Sequence, residues 1–400
     1  MSIWRSLRPS LARGAVVVVS SLLACGHLAA QNAYVQTNLV SDLADVALHT
    51  DPNLVNPWGI SASSGSPLWI SNNGTGTSTV YKGDGTALAL VVTIPPPAGG
   101  TPPSAPTGTV FNGTGKFLLA PGKSASFLFS SEDGTIAGWN GSTGAVIKVD
   151  NSASGAVYKG LALGADANGP VLYATNFHDG TVEAYDGTFR RVGNGFFDFF
   201  LPRGYAPFGI MTEPNNNVIV TYARQDADMH DDVAGSGHGF VDEFDPDGTF
   251  LRRLISRGAL DSPWGLAMAP STGFGAFNGA LLVGNFGDGR INAYSLLDTN
   301  GDFEFPSFDS ARFLDSLRDP DGHPLTNLGL WGIRFGSGSA NGGAASSLYF
   351  TAGIPASVGA LDVLEGHGLF GVINVGMTPA PATSATGPVL RGRHSAGGGL

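Results

Sequence analysis

The sequence predicts an all-β fold, a six-bladed β-propeller closed by an N-terminal strand in the last blade. Three observations carry this expectation: a short repeat that occurs six times, tight turns spaced between apolar runs, and two unmatched segments near the chain ends that complete each other. The repeat reads aromatic or small residue, Gly, apolar residue. It occurs at Pro57-Trp58-Gly59-Ile60, Thr107-Gly108-Thr109-Val110, Lys159-Gly160-Leu161, Pro207-Phe208-Gly209-Ile210, Pro263-Trp264-Gly265-Leu266 and Leu330-Trp331-Gly332-Ile333. Its glycines begin about 50 residues apart and end 67 apart, between Gly265 and Gly332. Such periods belong to propeller blades or solenoid turns.

Each unit divides into four short strands, as a blade requires. The third reads Gly160–Leu163, Val171–Asn176, Thr181–Tyr185 and Gly193–Phe200. The fourth reads Phe208–Met211, Asn217–Tyr222, Phe240–Phe244 and Thr249–Ile255. Asp84-Gly85, Asn140-Gly141, Asp186-Gly187 and Asp247-Gly248 supply hairpin turns between them. The sixth unit is one strand short, with Trp331–Phe335, Leu348–Thr351 and Leu369–Asn374, whereas Tyr34–Val40 has no partner ahead of the first blade. Placing Tyr34–Val40 as the outer strand of blade six closes the ring and removes open edges. The 59 glycines and 25 prolines among 400 residues suit short strands and tight turns, and no long run at period 3.6 suggests a helical fold.

Three arginines, Arg5, Arg8 and Arg13, precede an apolar run from Ala15 to Ala24. The run is short for a bilayer span and suits the core of an export signal. Residues 1–30 are therefore expected to be a signal peptide, 31–376 the propeller, and 377–400 a disordered low-complexity tail rich in Pro, Ala, Ser and Gly. Two processing points are open: after Ala30, or before Cys25, where Leu22-Leu23-Ala24-Cys25 resembles a lipoprotein box and Cys25 would carry a lipid anchor. Cys25 is the single cysteine, so no disulfide is expected within the chain. The expected location is exported: secreted, periplasmic or tethered to the envelope. No later segment is apolar enough for a transmembrane helix. Setting aside the three leader arginines moves the net charge from −11 to −14. With no basic stripe to follow a phosphate backbone, this composition argues against nucleic acid as a partner. A small molecule, a glycan or a protein stays open.

Several segments resemble, in order, an uncharacterised family of exported propeller proteins that is distantly similar to NHL-repeat proteins. They are Asn38-Leu-Val-Ser-Asp42, Asn56-Pro-Trp-Gly-Ile60, Gln225 to Val233, Gly329-Leu-Trp-Gly332 and His367-Gly-Leu-Phe-Gly371. Some members end in a PEP-CTERM sorting signal; the tail here, with Arg391-Gly-Arg393, lacks the apolar anchor of that signal. The resemblance implies the fold and supplies no activity.

In a propeller, loops between strands 2 and 3 and between successive blades emerge on one face, where ligand sites are usually built. Six of the eight histidines fall in loops of that set. The 2–3 loop of blade four is long and carries Asp226, Asp228, His230, Asp231 and Asp232. Carboxylates suit Ca²⁺ or Mg²⁺, and mixed His and carboxylate suits Zn²⁺ or Mn²⁺. This loop is the candidate site for a divalent cation; alternatively, its acids brace their own backbone in Asx turns. The candidate ligand-binding residues on the same face are Asn176, His178, Asp179, Arg203, Asp288, His323 and His367. Trp58, Trp264 and Trp331 occupy equivalent positions and read as core. Asp298-Thr-Asn300-Gly-Asp302 mimics the opening of a Ca²⁺ loop, but Phe303 stands where the turn glycine belongs.

No G-x-S-x-G elbow, P-loop, H-E-x-x-H or dinucleotide-binding glycine motif occurs. Three functions remain: a binding module on the His/Asp face, a metal-dependent hydrolase or lactonase-like enzyme using a central metal, and a structural surface protein. Convergence of three or four of Asn176, His178, Asp226, His230, Asp288 and His367 on one point would favour the enzyme, and outward-facing scatter would favour binding or scaffolding.

Overall fold

The computed structural model describes residues 33–193, 195–296, 309–355 and 364–376. The proposed signal segment with Cys25, the Asp298 segment and the tail lie outside the described residues. Six antiparallel sheets form the six blades of a propeller. The first strands, Pro57–Ser61, Pro106–Phe111, Tyr158–Asp166, Tyr205–Thr212, Pro263–Met268 and Leu330–Phe335, neighbour one another in a closed circle and line a central channel.

The glycine of the repeat is explained by how closely adjacent first strands approach. A Cβ added to Gly209 would lie 2.0 Å from the Trp264 carbonyl oxygen, and one on Gly332 would lie 2.5 Å from that of Trp58. No side chain fits there. Strand-two hydroxyls clasp the next blade at the same level: Thr221 Oγ1 donates to the Pro263 carbonyl at 2.6 Å, and Thr175 Oγ1 to that of Phe208 at 2.8 Å.

Blade six closes the ring as the unmatched segments predict. Tyr34–Ser41 pairs antiparallel with Leu369–Val375, with Tyr34 opposite Val375 and Ser41 opposite Leu369. Its sheet also contains Leu330–Phe335 and Leu348–Ala352, and a short parallel strand, His49–Thr50, covers the outer edge. That covering strand carries no alternating pattern to announce it.

Blade three departs from expectation. Its outer strand is only Arg191–Val192, and the described residues of the stretch predicted as Gly193–Phe200 form no strand. Gly193 and Phe196 adopt left-handed φ of 68° and 65°, which breaks the extended run. The Phe196 ring turns inward between Tyr173 and Phe244, at 5.3 and 5.2 Å, and Asp198 joins Asp242 around the Arg253 guanidinium. The segment joins blades three and four through its side chains.

Candidate functional site

The aromatic residues of the repeat close one end of the channel. Trp58 and Trp331 stack with centroids 3.4 Å apart, and Trp264 meets both edge-on. Phe286 stacks on Trp331 at 4.2 Å, and Phe177 and Phe208 complete the layer. The tryptophans are therefore core, as equivalent repeat positions predict. Burial of these large rings supplies apolar stabilisation at the centre of the ring.

Lys159 stands at the repeat position that Trp58, Phe208, Trp264 and Trp331 occupy in other blades. Its side chain is 2% exposed, and its Nζ lies 5.3 Å from the Trp58 ring and 5.8 Å from that of Phe177. A buried ammonium needs compensation. It forms an ion pair with Glu132 Oε1, and lies 3.2 Å from Asp231 Oδ1. Burial alone would lower the Lys159 pKa; the two carboxylates outweigh it and hold the pKa above the ordinary lysine value.

The pairing continues outward in both directions. Asp231 Oδ1 lies 2.9 Å from His230 Nδ1. This contact holds the Asp231 carboxyl well below the usual range and raises the His230 pKa. On the other side Asn73 Nδ2 donates to Glu132 Oε2 at 2.8 Å, Asn56 Nδ2 donates to Asn73 Oδ1 at 3.3 Å, and Asn56 Oδ1 accepts from Trp331 Nε1 at 3.1 Å. The result is one connected polar chain across the channel mouth, drawn from the 2–3 loops of blades one, two and four, the loop into blade one, and the start of blade three.

Two further carboxyls face this chain. Burial, followed by the charge of Glu132, raises the Glu365 pKa to about 7. Burial raises that of Asp232 to about 6, and Asp232 Oδ2 is buried without a hydrogen-bond partner among the described residues. Glu365 and Asn56 hold left-handed φ of 77° and 45°, uncommon for side-chain-bearing residues and frequent at functional sites.

Of the predicted metal-loop residues, His230 and Asp231 reach the mouth and Asp232 lies beside it. Asp226 braces the loop instead, its Oδ1 accepting from the His230 amide at 3.0 Å, and Asp228 is exposed. The other candidates do not gather there. Asn176 Nδ2 donates to Asp179 Oδ2 at 2.9 Å, and His178 pairs with Asp179 at 3.0 Å. Asp288 accepts from Asn285 Nδ2 at 3.0 Å. His323 lies 3.5 Å from Asp319. His367 Nδ1 meets Asp42 Oδ2 at 2.6 Å, joining blade six to its closing strand. Arg203 is exposed and makes no ion pair among the described residues.

The residues that sequence reasoning missed are Glu132, Lys159, Glu365, Asn56 and Asn73. Lys159 was visible as the single charged residue at its repeat position. Glu132 was visible as well, because Ser131-Glu132-Asp133-Gly134 parallels Asn176-Phe177-His178-Asp179-Gly180 in blade three.

A ligand atom from each of Glu132, His230 and Asp231 lies within 4.8 Å of the others, a spacing that could hold a metal ion. The structure answers this donor set with a cation of its own, since the Lys159 ammonium already engages Glu132 and Asp231. The residues as arranged fit an ammonium better than a metal.

No protein-family model matches the chain. One uncharacterised protein of Acanthamoeba polyphaga mimivirus is 36% identical over 310 residues, covering 74% of this chain and 72% of the relative. A second from the same virus is 33% identical over 282 residues, covering 67% and 72%. The chain belongs to the family that these two represent. Among solved structures, a protein of unknown function from Bacteroides thetaiotaomicron superposes with a TM-score of 0.50 at 12% identity, covering 86% of this chain and 76% of that one. That likeness concerns the fold alone. Among the described residues, no helix is long and apolar enough to cross a membrane.

Proposed function

We propose that the protein is an exported binding module that takes a small, positively charged ligand at the acidic mouth of its channel. The observation that carries this reading is the excess of acid at the channel mouth. Glu132, Asp231, Asp232 and Glu365 surround a single buried ammonium. Two carboxylates neutralise Lys159, and Glu365 and Asp232 stay poised near neutrality, so an arriving cation would ionise them. The scatter of His178, Asp288, His323 and His367 into separate local pairs supports binding over catalysis. The leader-like residues 1–30 support export, with cleavage after Ala30 or lipidation of Cys25. Mass spectrometry of the mature protein tests this: a start at Gln31 or a lipidated Cys25 agrees with it, and an intact Met1 does not.

Calorimetric titration with spermidine and with arginine methyl ester, at pH 6 and pH 8, tests the site. Binding should strengthen with pH as Glu365 and Asp232 lose their protons, and should weaken in Glu365→Gln. Equal affinity at both pH values, or an unaltered Gln variant, contradicts the reading.

A second reading, metal-dependent hydrolysis, is favoured by the spacing of Glu132, His230 and Asp231. Lys159 supplies its test. A metal would compete with the ammonium, so Lys159→Met should bind Zn²⁺ or Mn²⁺ more tightly than the wild type. If Ca²⁺, Mg²⁺, Mn²⁺ and Zn²⁺ leave the melting temperature of both proteins unchanged, this reading fails.

A further inference from the structure

At the other end of the channel, beyond the tryptophan layer, lies a cavity of about 490 Å3 lined by the first strands. This volume falls within the usual range for small-molecule pockets. Its walls expose polar and apolar atoms in equal measure; the apolar share includes Val110, Leu161, Ile210, Leu266 and Ile333, with Trp264 at the inner end. One lining residue is charged, Arg334. At the equivalent positions of the other blades stand Ser61, Val110, Ala162, Met211 and Ala267, so this charge is not part of the repeat.

The two cations of the channel differ in how they are satisfied. Lys159 has two carboxylate partners. Arg334 has none among the described residues: Nη2 donates to the Ala62 carbonyl at 3.1 Å, and Nε is buried with no partner. Burial alone, with no carboxylate nearby to oppose it, lowers its pKa. A second wall residue, Thr109, is 6% exposed and its Oγ1 is also buried without a partner. A half-buried guanidinium with no carboxylate partner and an unsatisfied Nε is costly, and a planar carboxylate matches its donors. The cost of leaving it unpaired is removed if the missing partner is a ligand.

We infer that this cavity is a second binding site, for an amphiphilic monocarboxylate whose anionic head meets Arg334 and whose apolar body lies along the first strands. The site is separate from the acidic mouth, and the opposite charges of the two ends select opposite ligands.

Calorimetry with octanoate, 1-octanol and octylammonium tests the inference on the full chain. Octanoate should bind the wild type at one site, and 1-octanol at least about tenfold more weakly, since a charged hydrogen-bonded pair is involved; octylammonium should bind only at the acidic mouth, with an affinity unchanged in Arg334→Gln. Arg334→Gln should lose octanoate affinity by a similar factor, and Arg334→Lys should retain part of it. Failure of octanoate to bind, or unchanged affinity in Arg334→Gln, overturns the site. If the Gln variant does not fold, the wild type still decides: equal affinity for octanoate and 1-octanol overturns it.

Discussion

Lys159 Nζ lies 3.2 Å from Asp231 Oδ1, across 72 residues of sequence. The contact fastens the long loop of blade four to the first strand of blade three, over the aromatic layer that closes the channel. Glu132 holds the same ammonium from blade two, so a single side chain ties three blades together at the mouth.

Lys159→Met should therefore destabilise the fold at pH 7. The Glu132 side chain is 12% exposed and would lose its ion pair, keeping only the Asn73 hydrogen bond, a loss of about 3 kcal/mol. The Asp231 side chain is 66% exposed and adds little, because solvent screens it. Urea unfolding of both proteins at pH 7 checks this, and an unchanged midpoint contradicts it.

Asp231→Asn should lower the His230 pKa, because the Asp231 contact is the largest influence raising it. The sign for stability follows. A raised folded-state pKa contributes stability below the unfolded value, and this is lost as pH rises through the folded pKa. The wild type should thus lose part of its advantage over Asp231→Asn above neutral pH. Titration of the His230 ring by NMR in both proteins measures the shift directly. A His230 titration that is the same in both would show that the pair does not exist in solution.

How much of this was legible beforehand depends on what each residue answers to. The ring was legible because strand spacing and the glycine of close approach recur in every blade, and because the sixth unit is one strand short while Tyr34–Val40 has no partner of its own. The site was legible in part. His230 and Asp231 stood out in a long loop, but Asp179 and Asp288 carry the same chemistry and spend it on their own turns, through Asn176 and Asn285. A sequence does not distinguish an acid closing its own turn from one facing a neighbour. Glu365 was illegible for a related reason: its environment is assembled from Glu132, Lys159 and Asn56, which are far from it in the chain.

Glu365→Gln should flatten the dependence of stability on pH between about 4.5 and 7. The Glu365 pKa is raised to about 7, so the folded state holds a proton that the unfolded chain, near the ordinary value for Glu, releases earlier. Wild-type stability then falls as pH rises across this window. Asp232, raised to about 6, adds a fall of the same sign at slightly lower pH and remains in the variant. Denaturant midpoints at several pH values measure both slopes. A wild type whose stability rises between pH 5 and 7 while the Gln variant shows the same curve would contradict the assignment.

Ring closure makes the sharpest distinction between neighbouring residues of one strand. Tyr34 is fully buried; its hydroxyl donates to the Phe274 carbonyl at 3.0 Å, and its ring stacks on Phe277 at 5.8 Å, so it joins blade six to blade five. Val35, next in the chain, is 45% exposed. Tyr34→Ala should leave a cavity and an unpaired carbonyl, costing about 4 kcal/mol, whereas Val35→Ala should stay within about 0.5 kcal/mol of the wild type. In a closed ring the loss should not stay in blade six. Hydrogen exchange should speed up in Tyr34→Ala along Leu330–Phe335 and also in Pro57–Ser61, whose Trp58 carbonyl accepts from Thr351 Oγ1 of blade six at 2.5 Å. Faster exchange confined to Tyr34–Ser41 would mean that the N-terminal strand is an appendage, and that the ring is held shut by the other three strands of its blade.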